Sequence, residues 1–226
     1  NYNQAKTLVG KADVLAVVKA DAYGHGSVKC ARRLEQNGCK FFAVASLAEA
    51  IELREHGVKG DILIFGRTKA INHCYLSKYN LIQTVYSLDY ARELNSCKES
   101  IRIHINIDSG MSRFGLYLHN QMDINRVISD VKAIQSLEHL QYEGIYTHFA
   151  NSDETNPDFC NQQYELFISL LERMKSENLS IGIRHVANSG AILTHPNKYL
   201  DMVRFGIGLY GYPHTRTVAT FKPVME

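Results

Sequence analysis

Little in this 226-residue chain ties it to a membrane, a metal or a nucleic acid. No apolar run approaches the roughly 18–20 residues that a membrane-spanning helix needs, and the opening residues do not read as a signal peptide. The five cysteines are an odd number, and no two stand as CxxC. A disulfide framework or a zinc site is therefore not expected, and a reducing compartment, the cytoplasm, fits. The ten histidines are scattered without HExxH or H-x-E spacing, so no metal site is expected. Lys and Arg number 25 against 23 Asp and Glu, and no basic stripe suggests nucleic acid. A P-loop pattern is missing. "GHG" at 24–26 is not the start of GxGxxG, because Lys29 stands where the third glycine would be.

What is present is a rhythm of short apolar runs. They are VLAVVKA (14–20), FFAVAS (41–46), DILIFG (61–66), IQTVYS (82–87), IRIHINIDSG (101–110), YEGIYTHFA (142–150), IGIRHVANSG (181–190) and MVRFGIGLYG (202–211). Their nearly continuous apolar character suits parallel strands covered by helices. Helical spacing lies between them. Ser27–Gln36 carries Val28, Ala31 and Leu34; Leu47–Glu55 follows a candidate cap, Ser46; Leu88–Leu94 follows Ser87. Asp158–Glu177 is the longest, with Tyr164, Phe167, Ile168, Leu171 and Met174 as its expected core stripe. Eight strands alternating with helices predict a (β/α)8 TIM barrel over residues 1–212, with a doubly wound open sheet as the alternative.

A barrel of this kind keeps its chemistry at the C-terminal ends of its strands. Those ends offer Lys19 and Tyr23, then Asn106, Asp108 and Arg113, then His148, then Asn188 and Ser189, then Arg204, Gly206 and Ile207. The set is mostly cationic and suits an anionic ligand, such as a phosphate with a carboxylate. Lysine is rarely buried without a partner, and burial or nearby cations favour its neutral, nucleophilic amine. Lys19 after an apolar strand thus points to Schiff-base chemistry with an aldehyde. If the aldehyde belongs to pyridoxal phosphate, Gly206 and Ile207 can offer backbone N–H groups to the phosphate, Ser189 its hydroxyl, and an arginine can face the ring nitrogen. Asp21 and His25 are read as turn and packing residues, and His104 as pointing inward.

With these residues in view, the chain resembles the alanine racemase family. "VVKADAYGHG" (17–26) is similar to the family's cofactor-attachment motif, and "NIDSGMSRFG" (106–115), "THFANSDE" (147–154), "ANSGAIL" (187–193) and "DMVRFGIGLYG" (201–211) resemble its later blocks in order. The resemblance implies that Lys19 carries pyridoxal phosphate covalently and acts as one of two bases at the substrate α-carbon. Tyr23 lies near the phosphate, and Asn188, Ser189, Gly206 and Ile207 complete the shell. Arg204 faces the pyridine nitrogen, and His148 lies against the ring and contacts Arg204. Arg113 bonds the cofactor's phenolic oxygen and holds the substrate carboxylate, and Phe65 is a further ring contact. No metal belongs to this set.

Two departures from the family's pattern set further expectations. Asn106 stands where members often carry a carbamylated lysine, so Arg113 is expected to be held by Asn106 and a small anion, chloride. The same substitution occurs in the serine/alanine racemases of vancomycin resistance, membrane-anchored proteins that remain an alternative. The resemblance also implies a C-terminal β-domain that supplies the second base, a tyrosine, across a homodimer. Residues 213–226 read as the passage into that domain, so the 226 residues are expected to be a fragment with little racemase activity alone. A single-domain, non-catalytic pyridoxal-phosphate carrier is another alternative. So are a pyridoxal-dependent decarboxylase or aldolase, disfavoured by basic Arg204, and a cofactor-free Schiff-base aldolase.

Overall fold

A computed structural model describes residues 1–212 and 221–224. In chain order the elements are α1 (Tyr2–Val9), β1 (Asp13–Val17), α2 (Lys19–Gly24), α3 (Ser27–Gln36), β2 (Phe41–Val44), α4 (Leu47–Glu55) and β3 (Asp61–Ile64). Then follow α5 (His73–Lys78), β4 (Ile82–Val85), α6 (Leu88–Asn95), β5 (Ile101–Asp108), β6 (Leu116–Tyr117), α7 (Ile124–Gln135) and β7 (Leu140–Thr147). The last are α8 (Asp158–Ser176), β8 (Ile183–His185), α9 (Ser189–Thr194) and β9 (Met202–Phe205), closed by a 3-10 turn at Ile207–Tyr210. Two compact units result: Asn1–Arg67 with Ser152–Thr155 and His185–Glu226, and Thr68–Asn151 with Asn156–Arg184.

The first unit has the strand order β3-β2-β1-β9-β8, parallel throughout. Leu15 registers with Phe41 on one side and with Arg204 on the other. Strands β1, β2, β3 and β9 are buried along almost their whole length, and Phe42, Ile62, Leu63 and Phe205 are inaccessible or nearly so. Each such side chain contributes about 1.5–3 kcal/mol by leaving water. Residues 221–224 pack back onto this unit. The Phe221 ring lies 4.9 Å from that of Phe205, and the Asn1 side chain bonds the Lys222 backbone in both directions, at 2.8 and 2.9 Å. The rest of the segment read as a passage to another domain, 213–220 and 225–226, lies outside the described residues.

The second unit has β4-β5-β7, again parallel, with β6 beside the end of β5. The register slips between Ile103 and His104, so that Glu143 is an extra residue on β7. Such a bulge turns its side chain out of the regular alternation, and Glu143 takes a two-pronged bond from Arg102 at 2.7 and 2.9 Å. Gly144 follows because a Cβ there would stand 2.7 Å from both His104 Cε1 and the Ile183 carbonyl.

Eight parallel strands alternating with helices are the (β/α)8 barrel class that the rhythm of apolar runs predicted. The bounds of α3 and α4 match the helical spacing, and Ser46 and Ser87 cap α4 and α6 through the N–H groups of Glu49 and Tyr90. Three readings need correction. Two-residue β6 has no apolar run to announce it. The buried stripe of α8 runs through Cys160, Gln163, Phe167, Leu170, Leu171 and Met174, with Tyr164 and Ile168 only half-buried, because the helix turns a neighbouring face inward. And β1 stops at Val17, well before Ala20, because the backbone there changes hand.

Candidate active site

After β1 the chain does something unusual. Ala20, Asp21, Ala22 and Tyr23 all have φ between 51° and 55° and ψ between 34° and 53°, so α2 is one turn of left-handed helix headed by Lys19. For residues with a Cβ each left-handed residue costs about 1–2 kcal/mol. The surroundings must hold such a turn. Ala22 N–H donates to the Val18 carbonyl at 2.9 Å, and Gly26 N–H to the Asp21 carbonyl at 3.0 Å. The Asp21 carboxylate accepts the Ser27 N–H at 2.7 Å, and the His25 ring stacks on Tyr210 at 4.6 Å. Asp21 and His25 thus have the turn and packing roles expected of them. The turn leaves Lys19 half-buried and carries Tyr23 toward β9.

A second backbone feature meets Tyr23 there. Beyond β9 the N–H groups of Gly206 and Gly208 both point at Ser189 Oγ, at 2.9 and 3.3 Å. A Cβ on Gly206 would lie 2.9 Å from Tyr23 Oη, so only glycine lets that hydroxyl approach the backbone. Burial pushes the Tyr23 phenol up, so its hydroxyl keeps its proton and can donate at neutral pH. Asn188 caps α9, accepting the Ala191 N–H at 3.0 Å and the Ser152 hydroxyl at 2.6 Å. Tyr23, Ser189, Gly206 and Gly208 thus bring hydroxyls and amide N–H groups together, a donor set suited to phosphate. Gly208 joins this set beside the neighbouring Ile207, although the strand-end reading did not single it out.

Arg204, on β9, is 3% exposed. Its Nη1 donates to His185 Nδ1 at 2.9 Å and to the His185 carbonyl at 3.1 Å, and its Nη2 to the Val186 carbonyl at 2.9 Å. Arginine only donates, so His185 Nδ1 is the acceptor and this imidazole is neutral, with its proton on Nε2. The sequence reading missed His185. Its signal is in "RHVANSG", two residues before the block that was noticed. Phe65 follows β3 directly, half-buried, its N–H on the Val44 carbonyl at 3.0 Å.

The second unit holds the other expected residues. Asn106 and Asp108 sit two apart on β5 and are 5% and 7% exposed. Asp108 Oδ1 accepts the N–H groups of Gly110 and Ser112 at 3.1 and 2.9 Å, which folds the loop carrying Arg113, and His119 Nε2 stands 3.3 Å from it. Asn106 donates to the Phe114 carbonyl at 2.7 Å, while its Oδ1 is buried without a hydrogen-bond partner. Arg113 is exposed, its guanidinium 5.2 Å from the centre of the Phe114 ring. The expectation that Asn106 holds Arg113 directly is therefore corrected. The amide is spent on a neighbouring carbonyl, which fixes the loop rather than the guanidinium. His148 follows β7, and buried Gln163 of α8 pins this strand end by donating to the His148 carbonyl at 3.1 Å and accepting the Ala150 N–H at 3.0 Å.

Residues 1–214 match the family model described as alanine racemase, N-terminal domain. The chain is 40% identical over 224 residues to an alanine racemase of Caldanaerobacter subterraneus subsp. tengcongensis, covering 96% of this chain and 56% of that protein. This chain belongs to the alanine racemase family. An alanine racemase from Methanococcus maripaludis is 39% identical over 208 residues, 90% of this chain and 54% of the relative. Among solved structures, alanine racemase of Clostridium difficile 630 in complex with cycloserine has a TM-score of 0.89 at 35% identity, over 98% of this chain and 62% of that one. The Bacillus anthracis alanine racemase with bound L-Ala-P has a TM-score of 0.84 at 30% identity, over 93% and 55%. The chain therefore spans little more than half the length of such alanine racemases.

Proposed function

We propose that this chain is the pyridoxal-phosphate barrel of an enzyme interconverting L- and D-alanine. The observation that carries the reading is the cradle in the first unit. The amides of Gly206 and Gly208 converge on Ser189 Oγ, and Gly206 leaves room for a protonated Tyr23 hydroxyl. Such donors, with Arg204 buried two residues before Gly206, fit a phosphorylated pyridine. Tyr23, Ser189, Gly206 and Ile207 would hold the phosphate, with Asn188 and Phe65 completing the shell, and Lys19 would carry the cofactor covalently. When bound, pyridoxal phosphate supplies an electron sink that acidifies the α-hydrogen of an attached amino acid.

The chain's own residues then divide the work. Lys19 takes or returns the proton on one face of the α-carbon. Arg204, which keeps all its protons, would serve the ring-nitrogen end of the cofactor, and a partner that only donates would leave that nitrogen unprotonated and so limit side reactions. Arg113 would hold the substrate carboxylate, and His148 would be a contact for the cofactor ring. A chloride near Asn106 and Arg113 would supply negative charge beside that guanidinium. The opposite face needs a second base, a tyrosine on the family's C-terminal β-domain, contributed across a homodimer. The product D-alanine would serve cell-wall synthesis in the cytoplasm. Among the described residues, no helix is long and apolar enough to cross a membrane.

The test begins with pyridoxal phosphate added to the purified chain. A visible absorbance band is expected in the wild type and none in Lys19→Ala. A band of equal strength in the variant would remove Lys19 from its role. Racemisation is then measured with L-alanine and L-serine side by side, in the full-length protein. Faster turnover of L-serine would move the reading to the serine/alanine racemases.

A further inference from the structure

We infer that Glu49 is the positioning residue for Lys19, holding the left-handed turn in the orientation that presents the amine. The inference rests on the reading of Lys19 as the cofactor-bearing lysine. Glu49 is the third residue of α4, where a glutamate ordinarily folds back to the N–H of its own capping residue, here Ser46. Its carboxylate reaches further. Oε2 accepts the Ala45 N–H at 2.7 Å, and Oε1 accepts the N–H of Ala20, the residue after Lys19, at 2.9 Å. One carboxylate thus joins the ends of two neighbouring strands, β1 and β2, and grips the first left-handed residue of α2.

Stability alone does not explain this bridge. Ala20 and Ala45 are both exposed, so water would satisfy their N–H groups if Glu49 were gone. What water cannot do is fix a direction. Ala20 is wound against its own preference; within the turn the Ala22 N–H closes on the Val18 carbonyl at 2.9 Å, and the remaining ties run from Gly26 and Ser27 to Asp21, so none of them takes the Ala20 N–H. The peptide that follows Lys19 is held from outside the turn by Glu49. Losing that grip frees the backbone on the C-terminal side of Lys19 while the strand beneath it stays put.

The experiment compares wild type, Glu49→Ala, Glu49→Gln and Lys19→Ala in the full chain, with pyridoxal phosphate as the probe. Amide hydrogen exchange is followed at Ala20 and Ala45, the visible band reports linkage to lysine, and melting temperature reports the fold. In Glu49→Ala the two amides should exchange about tenfold to a hundredfold faster, as expected when a hydrogen bond to a charged group is lost. The band should form about tenfold more slowly, an order-of-magnitude figure from the same loss, with little change in melting. Glu49→Gln keeps one acceptor oxygen and should recover one amide and part of the rate. Unchanged exchange at Ala20, or a band forming at the wild-type rate in Glu49→Ala, overturns the inference. So does lower melting with an unaffected band, which would mean a structural role only. If Lys19→Ala retains the band, the reading of Lys19 fails, and the role given to Glu49 fails with it.

Discussion

The two units carry their functional groups in different ways. In the first, chemistry rides on backbone. Lys19 and Tyr23 are presented by a left-handed turn, and Gly206 and Gly208 aim N–H groups at Ser189. In the second, it stands on regular strands and is aimed by side chains. Asp108 folds the loop of Arg113, Gln163 pins the strand end of His148, and Arg102 and Glu143 lock a bulge. The contrast suggests that backbone devices fix position tightly, at the cost of strain, whereas side-chain devices leave a long cation such as Arg113 free to adapt. A phosphate held in one place suits the former, and a substrate carboxylate that arrives and leaves suits the latter.

Arg204 is where the first unit departs from its own pattern, since a side chain supports the site there. Arg204→Met should therefore give the largest loss, about 3 kcal/mol or more in urea unfolding, because His185 Nδ1 and two buried carbonyls lose their donor. A loss below 1 kcal/mol would mean that the carbonyls find other partners.

Two glycine replacements sharpen the comparison. In the second unit Gly115 has φ +144°, and a Cβ would stand 2.6 Å from the Asp108 nitrogen and 2.9 Å from the Ile107 carbonyl carbon. Gly115→Ala should cost about 2–4 kcal/mol, since backbone cannot step aside. In the first unit Gly206→Ala meets the end of a side chain instead. Its stability should stay within about 1 kcal/mol of wild type, while affinity for pyridoxal phosphate, read by absorbance titration, should fall about tenfold, the equivalent of one lost hydrogen bond. Equal stability losses would erase the distinction between the units.

Alkaline titration separates them more gently. Burial raises Tyr2, Tyr23, Cys30, Tyr199 and Tyr210 in the first unit and pushes the Cys39 thiol up to about 11 from 9.0. In the second unit Tyr142 and Tyr164 are raised by burial. A raised acid keeps its proton longer folded than unfolded. The stability that Cys39 contributes is therefore complete below about pH 9 and lost as pH rises toward about 11. Amide exchange between those pH values should open the first unit before the second. The smallest effect is expected at the exposed pair of Lys6 and Asp13, 3.3 Å apart, where Lys6→Ala should change stability by less than about 0.5 kcal/mol.

Most of this architecture was legible in the chain. Apolar runs marked eight strands, and Ser46 and Ser87 marked helix starts, because burial and capping act over a few neighbouring residues. The polar strand ends led to the lysine, tyrosine, serine and arginine of the first unit. Residues whose role depends on distant partners were missed. His185 matters because Arg204 registers beside Leu15 and reaches back to it, and Gln163 looked like one more residue of an amphipathic helix until it met His148. Likewise, Asn106 was expected to hold Arg113, but the loop turns the Phe114 carbonyl toward it.

By itself, then, the sequence determined the class of fold, the family, and the types of group available at the strand ends. Periodicity and local motifs are written in consecutive residues. Tertiary structure decided the hand of the turn after Lys19, the neutral form of His185 and the grip of Glu49 on Ala20. Each is set by hydrogen bonds between residues far apart in the chain, and a left-handed turn of alanines, aspartate and tyrosine opposes what those residues prefer alone.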